Sequence, residues 1–145
     1  MSQDMMEKIV SKFPFEEAFV DYSGHDRRFR ISMRKMIAED FYLEAEEISP
    51  TQGYSFEVYS AVYSAPAVGS ALGKLRNKIR KGLSTRYLYS DSEHTKNLMH
   101  DELSGRISNH GIIVDGALLL FKDLERILIT HEGFQISIVI RSAAE

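Results

Sequence analysis

The sequence predicts an α+β fold, a mostly antiparallel sheet of about five to seven strands packed by two main helices plus a short N-terminal helix. Three observations predict it. Apolar and polar residues alternate around residues 29–37, 41–48 and 134–141, the period-2 mark of half-buried strands. From about Pro66 to Gly82 the apolar residues recur instead at helical spacing. Turn residues such as Pro50, Gly53 and the Asp115-Gly116 pair separate these stretches.

Taken in order, Met5, Met6, Ile9, Val10 and Phe13 form a helical stripe after Ser2, a candidate N-cap, and Pro14 ends it. An early strand fits Ala18 to Tyr22. Phe29, Ile31, Met33 and Ile37 then alternate with Arg28, Arg30, Ser32 and Arg34, and Phe41 to Ile48 alternates in turn. A three-residue loop at Ala38-Glu39-Asp40 makes these a hairpin, with Ile37 opposite Phe41, Lys35 opposite Leu43 and Met33 opposite Ala45. The other face then sets Arg34 against Glu44 and Ser32 against Glu46. One helix over residues 27–48 is the competing reading, because Met33, Met36, Ile37 and Phe41 also fit a helical stripe. A further strand spans Tyr54 to Val62.

The basic helix follows, with Ser64 and Pro66 at its start, Gly82 at its end, and Val68, Leu72, Leu75, Ile79 and Leu83 as its inner stripe. Residues 90–104 are polar and read as an exposed, mobile loop. Beyond it come a strand near Arg106, a second at Ile112 to Val114, and the Asp115-Gly116 turn. A helix then buries Leu120, Leu124, Ile127 and Leu128 and ends at His131-Glu132-Gly133, before a last strand with Phe134, Ile136, Ile138 and Ile140. With 145 residues, 43% of them hydrophobic, the chain is expected to be a single domain over residues 1–145.

The absence of cysteine removes disulfides, thiolate metal ligation and thiol nucleophiles. The N-terminus mixes Asp4, Glu7, Lys8 and Lys12 with its apolar residues, unlike a signal peptide, and no apolar run approaches the roughly 20 residues of a membrane span. A cytoplasmic protein is expected. The net charge of −3 hides a segregation: residues 58–90 hold six basic residues and no acidic one, while the remainder holds 12 basic and 21 acidic residues.

Within the basic helix, at 100° per residue, the inner stripe occupies an arc of about 80°, and Lys74, Lys78 and Lys81 fall opposite it as a solvated face. Arg76 and Arg80 lie on one flank beside Gly69 and Gly73, where small residues admit a partner's backbone and guanidinium forks suit phosphate or carboxylate. That flank, joined by Arg28, Arg30 and Arg34 from the sheet, is the candidate patch for an anion or a partner. Nucleic-acid binding through the phosphate backbone is its alternative use. Against it stand a pI near 6.0 and the carboxylates Glu44 and Glu46, placed to neutralise the strand arginines.

The remaining motifs carry little chemistry. Gly69-Ser70-Ala71-Leu72-Gly73-Lys74 is one residue short of a P-loop, lacks the hydroxyl residue after the lysine, and lies inside a helix rather than before one. Of His25, His94, His100, His110 and His131, only His94 and His100 lie close together, and His131 is placed to cap a helix C-terminus. Carboxylate pairs such as Glu16-Glu17 are adjacent, so in a strand they point to opposite faces. No metal, cofactor or catalytic residue is therefore assigned.

Five short segments, Leu43-Glu44-Ala45-Glu46, Gly53-Tyr54-Ser55-Phe56, Lys78-Ile79-Arg80, Val114-Asp115-Gly116 and Glu132-Gly133-Phe134-Gln135, together resemble a family of uncharacterised bacterial domains. The resemblance spans roughly residues 27–140 and implies an α+β fold. Such families have no assigned activity, so it implies no site residue. The expected function is a non-enzymatic protein-interaction or regulatory domain meeting another protein or a second copy of itself, with nucleic-acid binding and an enzyme of dispersed active site as alternatives.

Overall fold

The computed structural model describes residues 3–50 and 52–144, so the Ser2 cap lies outside the described residues. Helix α1 (Gln3–Val10) leads into an antiparallel meander of β1 (Phe15–Val20), β2 (Asp26–Lys35), β3 (Phe41–Glu47) and β4 (Ser55–Ser60), paired in that order. Helix α2 (Ala65–Ser84) covers one face of this sheet. Alternation decides which face. Phe29 and Ile31 of β2 and Phe41, Leu43 and Ala45 of β3 are fully buried, while Arg28, Arg30 and Arg34 point to the open side. Onto the buried side α2 lays Val68, Ala71, Leu75, Ile79 and Leu83. Ala71 completes the stripe where Leu72 was expected, and Leu72 is only half-buried. Ser64 caps the helix by accepting from Ala67 N at 3.2 Å.

The hairpin reading of residues 27–48 is correct and its register is not. Lys35 pairs with Phe41, Met33 with Leu43 and Ser32 with Glu44, a shift of two from the expected pairing. Met36 N donates to Asp40 O, so the three-residue loop is Ile37-Ala38-Glu39, one residue earlier than expected. Glu39 supplies the left-handed position that such a loop needs, at φ 60°. A shift of two leaves every side chain on its expected face, and Arg34 still reaches Glu44, diagonally, at 2.8 Å.

Two corrections concern α2 and its neighbours. The helix runs past Gly82 to Ser84, and Gly82 is there for close approach: a Cβ on it would stand 2.5 Å from the Phe56 ring of β4. The lysine face is not uniformly solvated either. Lys78 is partly buried and donates to Glu57 O at 2.7 Å and to Ala143 O at 2.9 Å. Desolvation pulls its ammonium below the usual lysine range, and Glu57 offsets this only in part.

The second half of the chain builds a smaller core. Strands β5 (Leu88–Ser90) and β6 (Lys96–Leu98) form a hairpin, so the segment expected as a loop carries a strand, turned by Asp91, whose side chain accepts from Glu93 N and Thr95 N. Strands β7 (Arg106–Ile107), β8 (Gly111–Val114) and β9 (Ala117–Leu120) form a third antiparallel sheet, and α3 (Phe121–Thr130) follows directly. Among the described residues there are thus nine strands in three antiparallel sheets and three helices, an α+β fold with its strands divided among small sheets rather than gathered in one. Asp115 and Gly116, at φ 53° and 77°, make the expected β8–β9 turn. Leu88, Val114, Leu119 and Ile127 are the buried centre of this half. Asp115 ties the β8–β9 turn to the start of β5 by accepting from Tyr87 N and Leu88 N, and the Tyr54 ring, just before β4, lies against Gly116.

The last expected strand does not form. Residues 135–141 are extended, but no backbone hydrogen bond joins them to another described residue. Alternation makes a segment competent to pair, and without an adjacent edge it stays single.

Candidate functional site: arginine clusters and an uncovered apolar face

The predicted arginine patch divides across the sheet. Arg76 and Arg80 rise from α2 beside Glu17, Phe19 and Val20 of β1, around a shallow open hollow of about 600 Å³. Arg76 is engaged there, its Nε and Nη2 donating to the two Glu17 oxygens at 3.0 and 2.9 Å. The Arg80 guanidinium lies 5.7 Å from the Phe19 ring centroid. Gly69 and Gly73 are exposed, and a Cβ on either would meet nothing within 4 Å. Arg28, Arg30 and Arg34 stand on the opposite face of the sheet. Arg28 pairs with Glu16 at 3.2 Å, and Arg34 with Glu44 at 2.8 Å while lying over the Tyr42 ring. The structure does not bring the two groups together.

A second cation cluster is one that the sequence reading missed. Asp21, at the end of β1, is a buried acidic residue whose side chain is wholly enclosed. It accepts from Ser23 N, Ser23 Oγ, His25 N and Arg27 Nε at 2.8, 2.7, 3.1 and 2.9 Å. Burial alone pushes its carboxyl upward, but the bonds from Ser23, Arg27 and His25 outweigh this and hold it well below the usual carboxylate range. Arg27 also reaches Glu47 at 3.0 Å and lies over the Tyr54 ring. The sequence signal was Asp21-Tyr22-Ser23-Gly24-His25, a turn in which a short acidic side chain can take successive backbone amides. With Arg27 Nε on Asp21 and Nη1 on Glu47, this cluster closes the β1–β2 turn.

The uncovered surface lies elsewhere. Helix α3 buries Ile127 but turns Phe121, Leu128 and Ile129 outward, and with Leu124, Glu125 and Glu132 they line an open hollow of about 550 Å³. Leu128 was expected inward and is 46% exposed. His131 caps the helix as expected, its Nδ1 2.8 Å from Ile127 O, and Gly133 at φ +90° turns the chain away. The extended segment beyond follows, with Phe134, Ile136, Ile138, Val139 and Ile140 between 66% and 75% exposed. An apolar helix face and an unpaired apolar strand are therefore joined by only three residues.

The chain belongs to a family of domains of unknown function, DUF7686, whose model matches residues 11–84. No curated protein and no solved structure matches the chain. The DUF7686 match covers the four-stranded meander and α2, hence the Asp21 cluster and both arginine groups. Three of the five segments that carried the resemblance lie within it, and Val114-Asp115-Gly116 and Glu132-Gly133-Phe134-Gln135 lie beyond. The apolar face of α3 and residues 134–140 is likewise outside the DUF7686 part. Among the described residues no group of three or more His, Asp and Glu is arranged to hold a metal ion, and no helix is long and apolar enough to cross a membrane.

Proposed function

We propose that the chain is a non-enzymatic protein-interaction domain, cytoplasmic, whose contact surface is the apolar face made by α3 and residues 134–140. One observation carries the reading: Phe134, Ile136, Ile138, Val139 and Ile140 are each more than three-fifths exposed, on a segment whose backbone from residue 135 to 141 makes no hydrogen bond to another described residue. Isolated apolar residues on a surface are ordinary, whereas a contiguous apolar patch marks a contact site. An extended segment with free amides and carbonyls also offers the main-chain bonds by which strand addition recognises a partner. The arginines support no competing choice, because most already have a carboxylate within the fold. The test is photo-crosslinking in the native cell, with a benzophenone amino acid in place of Ile138 or, as control, of Lys74 on the exposed side of α2. Protein adducts are expected from position 138 and not from 74. No adduct from 138, or equal adducts from both, would remove the reading.

A further inference from the structure

Residues 134–140, Phe-Gln-Ile-Ser-Ile-Val-Ile, are close to self-complementary. Two copies laid antiparallel about a twofold axis at Ser137 set Phe134 opposite Ile140, Ile136 opposite Ile138 and Gln135 opposite Val139. One face of the two-stranded ribbon is then wholly aliphatic and aromatic. We infer that the occupant of this surface is a second copy of the chain, paired strand to strand through residues 134–140 with Ser137 on the twofold axis. The inference rests on the interaction reading above and names its partner.

Four features of the molecule argue for a second copy. No charged residue interrupts the stretch from Gly133 to Ile140, so the devices by which exposed strands resist edge-to-edge pairing are missing there. The segment is anchored at both ends. Phe134 N donates to His131 O at its start, and beyond its end Lys78 holds Ala143 O at 2.9 Å. Pairing therefore orders little that is not ordered beforehand. Each segment is also joined to α3 by only His131-Glu132-Gly133, so the exposed Phe121, Leu128 and Ile129 of both copies lie close in sequence to the contact. The side chains that such a contact would cover, Phe134, Ile136, Ile138 and Ile140 of each copy, stand 66–75% exposed. An isologous contact of this kind also closes on itself and leaves no further edge of the same segment free.

The register makes the inference testable, since the chain contains no cysteine of its own. Directly opposed residues of an antiparallel pair have Cα atoms about 4.5–5.5 Å apart, within disulfide reach. Ser137→Cys is expected to oxidise to a covalent dimer at least tenfold faster than Gln135→Cys. Gln135 stands opposite Val139 and lies about 13 Å along the strands from its own symmetry mate. A mixture of Gln135→Cys and Val139→Cys chains is expected to recover the fast rate. Light scattering on the unmodified protein is expected to give twice the 16.6 kDa chain mass. A monomer at 100 µM overturns the inference, as does Gln135→Cys oxidising as fast as Ser137→Cys, or an open ladder of oligomers. A monomer that still yields adducts to other proteins at position 138 removes the second copy and leaves the interaction reading standing, and a monomer with no adducts removes both.

Discussion

Replacing Asp21 by Asn keeps the shape of the most enclosed polar group in the structure and removes its charge. Asp21 accepts four hydrogen bonds, and an Asn carboxamide can take only part of them, since its NH₂ must face Arg27 Nε or Ser23, both donors. Stranding a charge in a fully dry site costs about 3–5 kcal/mol. Arg27 is 29% exposed and keeps Glu47 at 3.0 Å, so the expected loss is smaller, about 2–3 kcal/mol, made of weakened charge-assisted bonds. In a chain of this size that lowers Tm by about 4–12 °C. The pH dependence follows from the sign of the shift. The folded-state carboxyl lies below its ordinary value of 3.8, so its stabilisation is full above that value and is lost as the pH falls through it toward the folded value. Urea unfolding followed by tyrosine fluorescence is expected to show the full gap between wild type and D21N at pH 7 and a much reduced gap near pH 2.5. A gap under about 0.5 kcal/mol at pH 7, or one unchanged at pH 2.5, would refute the account.

Gly82→Ala is expected to destabilise by about 1–3 kcal/mol although alanine favours helix by up to about 1 kcal/mol, because the new methyl meets a Phe56 ring held between Tyr54 and Phe29. A thermal melt at or above the wild-type Tm counts against this. Asp115→Ala leaves Tyr87 N and Leu88 N without their acceptor and places alanine at φ 53°, for a loss of about 2–4 kcal/mol. Faster hydrogen exchange at those two amides, recovered in large part by Asp115→Asn, is the signature, and unchanged exchange speaks against the tie.

Most of the fold was legible because periodicity is a local property of the chain. The strands at 29–35 and 41–47 and the α2 stripe show their buried faces in the residues themselves, and Asp115-Gly116 names its own turn. What was not legible depends on partners distant in sequence. The two-residue shift of the β2–β3 register follows from which residue accepts the left-handed loop position, and Ala38-Glu39-Asp40 gives no glycine to mark it. Gly82 carries the signature of a helix end, and only the Phe56 ring opposite shows otherwise. The Asp21 cluster was missed because Glu47 lies twenty residues from Arg27. For residues 134–141 the alternation spoke of pairing competence and was silent about whether an edge lay within reach.

The contrast between the two candidate surfaces is one of magnitude. The Arg76–Glu17 pair, with both side chains about a third exposed, is worth about 0.2–1 kcal/mol, and the arginines on the open face of the sheet, more exposed still, contribute less. Being paired within the fold, they also project little net field to steer an anion. At 134–140 five large apolar side chains stand 66–75% exposed, and burying each one fully contributes about 1.5–3 kcal/mol before the costs of association. Rotor entropy and lost translation reduce the sum. A helix rich in lysine and arginine draws the eye in the sequence, but Arg76 is answered at home by Glu17 and Lys78 by two backbone carbonyls. What residues 135–140 leave uncovered are apolar side chains and backbone amides, and a second strand would answer both together.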